Sequence, residues 1–203
     1  RVDIDRSVTS ALETFLRNEL APRDTRRVNL FHWPGAGGST VARRLAWDLH
    51  REFPTVVAKM IHPGSTTDRL QYLFSLSRLR MLVVTEASLV SSDDMDRLYD
   101  EVRSANIPVV FLRVERRVES PAGKAGHYLD AMLRTSEAVA LAGKLAQEVP
   151  NQRSELESLI HVEDRRRRIP FYFGLVAFGK GFAGLESYVQ NRIETSTEPL
   201  LSV

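Results

Sequence analysis

With 203 residues, 43% of them hydrophobic and 27% charged, the chain has an ordinary globular balance and fits one α/β domain or a core with an appendage. A net charge of +2 gives no whole-chain field arguing for a polyanionic partner, and the lack of cysteine excludes a disulfide framework or thiolate zinc site and fits a reducing, cytoplasmic setting. No apolar run approaches the roughly 18 residues of a membrane span, no signal peptide is present, and the start at Arg1 without methionine suggests a segment of a longer protein.

Ser7 to Leu20 carries Val8, Ala11, Leu12, Phe15, Leu16 and Leu20 at the spacing of an amphipathic helix, which Pro22 ends. A basic link, Arg23 to Arg27, leads into a strand at Val28-Asn29-Leu30-Phe31. A glycine-rich turn follows, then a helix from Thr40 to about His50 with Val41, Ala42, Leu45 and Leu49 on one face. Thr55 to Ile61 is β-branched and apolar, a second strand closed by Pro63-Gly64. Thr67 to Leu79 is helical. Met81 to Glu86 is a third strand, almost continuously apolar, as a strand covered on both faces must be. Ser92-Asp93-Asp94 opens a helix to about Ala105, its acids suited to the positive end of the dipole. Ile107 to Val114 is the fourth strand. This alternation predicts an α/β fold, a parallel sheet in a three-layer αβα core with right-handed crossovers.

Beyond Arg116 the pattern changes. A loop over Ser120 to Gly126 is followed by helical signals alone: Ser136 to Val149, Ser154 to Val162, and Ile169 to about Ile193, broken near Gly179-Lys180-Gly181. The chain therefore divides into an N-terminal helix and link (1–27), an α/β core (28–119) and a helical subdomain (120–203).

His32 to Thr40 reads His-Trp-Pro-Gly-Ala-Gly-Gly-Ser-Thr. The phosphate-binding loop pattern is G-x-x-x-x-G-K-[ST] between a strand and a helix. Gly37 and Ser39 fall in register with it, but His32 stands at the first glycine and Gly38 at the lysine. Phosphate oxygens need several donors at once, and glycines let consecutive N–H groups converge while the helix adds its positive end. Pro34, Gly35, Ala36, Gly37, Gly38, Ser39 and Thr40 thus make a candidate site for a nucleoside phosphate such as ATP or ADP, with Ser39 placed to hold Mg²⁺. Valine at Gly35 or Gly37 is expected to abolish binding with little loss of fold. Lys59, Lys124, Lys144 and Lys180 are the only lysines. A substitute cation is expected from outside the loop, from Arg113 or Lys124. A lysine restored at position 38 is expected to enter a loop already built to admit it.

Such a site needs an acid at the end of a neighbouring strand. If Thr85 takes the metal-side place, Glu86 falls where a water-activating carboxylate would lie; one residue of slip makes Glu86 the metal-side acid. Arg113, near the end of strand four, is placed at the γ-phosphate edge, since ligands of open α/β sheets bind beyond the carboxyl ends of the strands.

With loop and acid in place, the first half resembles the STAND branch of P-loop NTPases. Pro34 through Leu49 is similar, more narrowly, to the NTPase region of the sterile alpha motif domain-containing 9-like antiviral proteins and their bacterial relatives. Arg168-Ile169-Pro170-Phe171-Tyr172-Phe173-Gly174-Leu175 resembles the Pro-Phe-Tyr-x-Gly-Leu helix of that group. The resemblance covers roughly residues 28 to 195. It implies a multidomain protein in which nucleotide state gates an effector, commonly in antiviral or antiphage defence, with nucleotide-dependent oligomerisation. It also implies that Pro170 lies against the nucleotide, although a first-turn proline needs no ligand to explain it. Gly38 and Thr85 depart from the general pattern, which implies slow or absent hydrolysis. The alternative is a pseudo-NTPase, an assembly or nucleic-acid platform with an empty pocket.

Arg165-Arg166-Arg167-Arg168 is the one dense basic cluster. Glu163 and Asp164 adjoin it and no aromatic platform is interleaved, so it reads as a solvated helix end or an acidic-partner surface ahead of a nucleic-acid contact. His32, His50, His62, His127 and His161 lack metal-ligand spacing.

Overall fold

The computed structural model describes residues 4–21, 24–62, 64–118, 126–164 and 167–179. Expectations that fall on Pro22, Arg23, Pro63, the segment 119–125 with Lys124, Arg165, Arg166, and everything from Lys180 onward lie outside the described residues.

The four apolar runs become β1 (Arg26–His32), β2 (Thr55–Ala58), β3 (Met81–Glu86) and β4 (Val109–Arg116). The helices are α1 (Ser7–Leu20), α2 (Gly38–Leu49), α3 (Ser65–Ser77), α4 (Ser92–Ser104), α5 (Thr135–Glu148), α6 (Arg153–Ser158) and α7 (Pro170–Phe178). β1 begins inside the basic link because Arg26 and Arg27 pair with Val110 and Phe111 of β4. β2 stops at Ala58 and not at Ile61. Among the described residues it lies at the sheet edge, and its ladder to β3 ends at Ala58 opposite Thr85.

One expectation is corrected outright. Residues past 120 are not all helical, because β5 (His127–Leu129) adds a fifth parallel strand along the other side of β1. Three residues are too few to show a periodicity, and this strand forms because β1 offers it an unpaired edge. The order is β2-β3-β4-β1-β5, all pairs parallel.

Strand alternation sorts the core into two faces. Leu30, Leu82, Val84, Val110 and Leu112 pack with Leu12 and Leu16 of α1 and Val41, Leu45 and Leu49 of α2. Met81, Val83, Val109 and Phe111 pack on the other face with Leu70 of α3 and Met95, Leu98 and Val102 of α4. Each such fully buried side chain contributes about 1.5–3 kcal/mol. A third cluster joins α5, α6 and α7 through Leu141, Leu145, Leu156 and Phe173. Among the described residues no helix is long and apolar enough to cross a membrane.

Candidate functional site

Because β1 and β3 both run parallel to the β4 strand between them, the turn after β1 and the end of β3 open on the same edge of the sheet. The turn is tight: the Ala36 N–H donates to the Trp33 carbonyl at 3.0 Å. Gly35 (φ +78°) and Gly37 (φ +87°) take the left-handed backbone that glycine allows without strain. Gly37 caps α2, which starts at Gly38, two residues earlier than its apolar face suggests. The first N–H groups of a helix have no carbonyl within it to bond, so the amides of Gly38, Ser39 and Thr40 are donors for a ligand. Beside Gly37 an added Cβ would meet no atom within 4 Å, which leaves the turn open where phosphates would lie.

Strand alternation sends the two residues at the end of β3 to opposite faces. Thr85 points to the α4 side, its hydroxyl 3.7 Å from Met95 Sδ. Glu86 points to the α2 side, where Ser39 Oγ donates to Oε2 at 2.9 Å and Arg43 Nη2 bonds Oε1 at 3.0 Å. Arg113 does not join them. It pairs with Thr85 across the β3–β4 ladder and its guanidinium donates to Ser92 Oγ at 3.0 Å, at the head of α4. β4 also runs on past it to Arg116.

The helical part closes over the loop. Phe171 N–H donates to the Gly35 carbonyl at 3.2 Å, so α7 docks on the turn itself. A Cβ on Gly35 would fall 3.0 Å from Phe171 Cβ and 3.5 Å from Ile169 Cδ1. Valine there would disturb this docking as well as any ligand, which corrects the expectation that Gly35 and Gly37 are equivalent. Between the layers lies a cleft of about 220 Å³, mostly apolar. Ile4 and Arg6 line it from the N-terminal segment, Gly37, Thr40, Val41 and Arg44 from the loop and α2, Leu141 and Leu145 from α5, and Pro170, Gly174 and Phe178 from α7. Pro34 lies in the turn and Ala36 is buried beside the cleft, so the structure brings Pro170 to the predicted loop residues.

Two groups whose contacts the sequence did not show hold this arrangement. Arg6 and Glu137 are 6% and 7% exposed, with Arg6 Nε 3.3 Å from Glu137 Oε2. Arg6 also donates to the carbonyls of Ala36 and Asp130, both at 3.0 Å. Glu137 takes the N–H of Ser7 at 2.7 Å and of Arg134 at 2.9 Å, capping α1 and α5 together. Burial pulls the Arg6 pKa down against the pull of Glu137 and Asp130. Burial pushes the Glu137 carboxyl up, but the Ser7 and Arg134 amides and Arg6 outweigh it and hold it below the ordinary glutamate range. The only sequence signal was Glu137 in the first turn of a predicted helix. Nothing local pairs it with a residue 131 positions earlier.

The second group is His32, buried with its ring against Gly38. A Cβ on Gly38 would fall 2.2 Å from His32 Cδ2. The expectation that the loop has room for a lysine at 38 is therefore corrected.

The strand order, the turn after β1 and the helix behind it define a P-loop NTPase α/β fold. The chain is similar in fold to Cdc6p of Pyrobaculum aerophilum, at 14% identity and a TM-score of 0.56 over 87% of this chain and 60% of that one. It is likewise similar to RuvB, the Holliday junction branch migration motor of Thermotoga maritima, at 15% identity and a TM-score of 0.52 over 85% and 61%. The chain thus spans about three fifths of each of those structures. No protein-family model matches it. No curated protein matches it either.

Proposed function

We propose that this chain is a nucleotide-binding switch domain that holds ATP or ADP with Mg²⁺ between the loop and the helical part, with slow or absent hydrolysis. One observation carries the reading: the Ser39 hydroxyl and the Glu86 carboxylate are bonded to each other beside an open glycine turn that faces a cleft. The amides of Gly38, Ser39 and Thr40, at the start of α2, would hold the phosphates. Pro170 and the apolar walls of the cleft would take the base and sugar. Ser39 and Glu86 would hold Mg²⁺, which neutralises phosphate charge when bound. In this register Glu86 serves the metal side, and Thr85 has no carboxylate to orient water. That, with the missing lysine, supports weak turnover. Arg113 would act at the γ-phosphate only after releasing Ser92.

The likeness of the loop and of Arg168 to Leu175 to STAND proteins supports placing the domain in a larger, defence-related protein. There the nucleotide would govern contacts with other domains and oligomerisation. α7 docked on Gly35 is the route by which phosphate occupancy would reach the helical part.

Nucleotide at 100 times its Kd should add about 2.7 kcal/mol of stability, roughly 5–10 °C in melting temperature for a chain of this size. A melting temperature unmoved by millimolar ATP or ADP with Mg²⁺ would instead support the platform with an empty pocket.

Ser39→Ala and Glu86→Gln should each lower affinity for Mg²⁺-nucleotide about ten- to a hundredfold, the worth of a charge-assisted contact. Metal-free nucleotide should bind nearly as before, because backbone amides hold the phosphates. Titrations with and without EDTA decide it. Equal losses in both would remove these residues from the metal.

A further inference from the structure

We infer that His32 sets the phosphate specificity of this loop: its ring occupies the place of the missing lysine and makes the site nearly indifferent to the γ-phosphate. The inference rests on the nucleotide-binding reading above. The His32 backbone is fixed in β1 between Leu129 of β5 and Arg116 of β4, and its carbonyl takes the Arg117 N–H at 2.8 Å. Its ring is fixed as well. Nδ1 lies 3.0 Å from the Trp33 carbonyl oxygen, and since a carbonyl only accepts, Nδ1 carries the hydrogen. The same carbonyl accepts the Ala36 N–H that closes the turn, so the ring is tied to the geometry of the loop.

A Cβ on Gly38 would fall 2.2 Å from Cδ2, 2.3 Å from Cγ and 2.8 Å from Nε2 of that ring. Real Cβ atoms do not approach so closely, and the ring has no slack because both its backbone and its Nδ1 are held. His32 and Gly38 therefore form a reciprocal pair, a ring at the first position requiring no side chain at the seventh. A lysine carries its charge on a flexible four-carbon stem that follows the phosphate chain. An imidazole anchored to Trp33 has no such reach. Among the described residues, Arg43 is engaged with Glu86 and Arg113 with Ser92. The loop then grips what its amides reach, and the terminal phosphate adds little.

The test is a double-mutant cycle read in two ways, melting temperature without ligand and Kd for ATP and ADP with Mg²⁺. Gly38→Ala adds only the Cβ. Alanine is the better helix former, so it should raise the melting temperature in a His32→Ala background and lower it when His32 is present. Wild type should bind ATP and ADP within about threefold. His32→Gly/Gly38→Lys should gain at least tenfold in preference for ATP, while Gly38→Lys alone should lose affinity for both.

A Gly38→Ala or Gly38→Lys single variant as stable as wild type would overturn the steric pairing. A wild-type preference for ATP above tenfold would overturn the specificity claim, as would a double variant with no ATP gain. If wild type binds neither nucleotide while the stability cycle still changes sign, the nucleotide reading has failed and takes the specificity claim with it, whereas the ring-for-lysine packing stands.

Discussion

Arg6→Met should destabilise the fold by about 3–5 kcal/mol, the usual loss when one partner of a buried ion pair is removed, and lower the melting temperature by on the order of 10 °C. The guanidinium is bonded to the Ala36 and Asp130 carbonyls and faces Glu137, and both charged side chains are less than a tenth exposed. Removing it leaves the carboxylate buried with only the Ser7 and Arg134 amides, and leaves the loop carbonyl of Ala36 without its donor. Arg6→Met/Glu137→Gln should lose less than the sum of the single variants, since neither charge then stands alone. Thermal denaturation of the set is sufficient, and additive losses would show that the two do not act as a pair.

The same pair predicts a pH dependence. The Glu137 carboxyl is held below its ordinary value in the folded chain. A depressed folded pKa means the stabilisation is present above the unfolded glutamate value of about 4.3 and disappears as pH falls through the folded value. Acid unfolding should therefore set in below about pH 4. In Arg6→Met the carboxyl loses a partner that holds it down, so the acid transition should move to higher pH. Melting curves between pH 3 and 7 check this, and an acid midpoint indifferent to Arg6 would refute it.

Gly35→Val and Gly37→Val should both abolish nucleotide binding, yet only Gly35→Val should also loosen the helical part. At both positions a β-branched residue is forced to positive φ, which costs about 1–3 kcal/mol. At Gly37 the added Cβ itself meets no atom within 4 Å, and the side chain intrudes on the space left for phosphate. At Gly35 the Cβ meets Phe171 and Ile169, adding an overpacking cost of about 1–3 kcal/mol. It also pushes against the Phe171 N–H bond that seats α7. Gly35→Val should therefore melt several degrees below Gly37→Val and exchange the α7 amides faster. Equal melting temperatures would mean that α7 does not depend on this contact.

What the chain's order of residues determined by itself is the set of local elements. The continuous apolar run Met81 to Val84, the helical spacing of Val41, Ala42, Leu45 and Leu49, and the glycines between β1 and α2 are short-range signals. Backbone preference and turn chemistry act within a few residues, so they can be read from a few residues. The glycine turn between β1 and α2 and the alternation that gives a parallel sheet were legible for the same reason, whereas Pro170 was singled out only by the family resemblance.

Tertiary structure decided the rest. Glu86 was the candidate acid in either register, but which face of the sheet it and Thr85 present was not set until the strands paired, with Glu86 towards α2 and Thr85 towards α4. Arg113 sits in the expected strand, but its position in the alternation turns it towards Ser92. β5 is too short to have a pattern and exists because β1 had an edge to share. Arg6 meets Glu137 only when α1 and α5 converge on the loop. The His32 ring excludes a side chain at 38 only because the turn folds back on its own strand. Each of these depends on which face a residue presents and on neighbours far away in sequence, and neither is set until the sheet has closed.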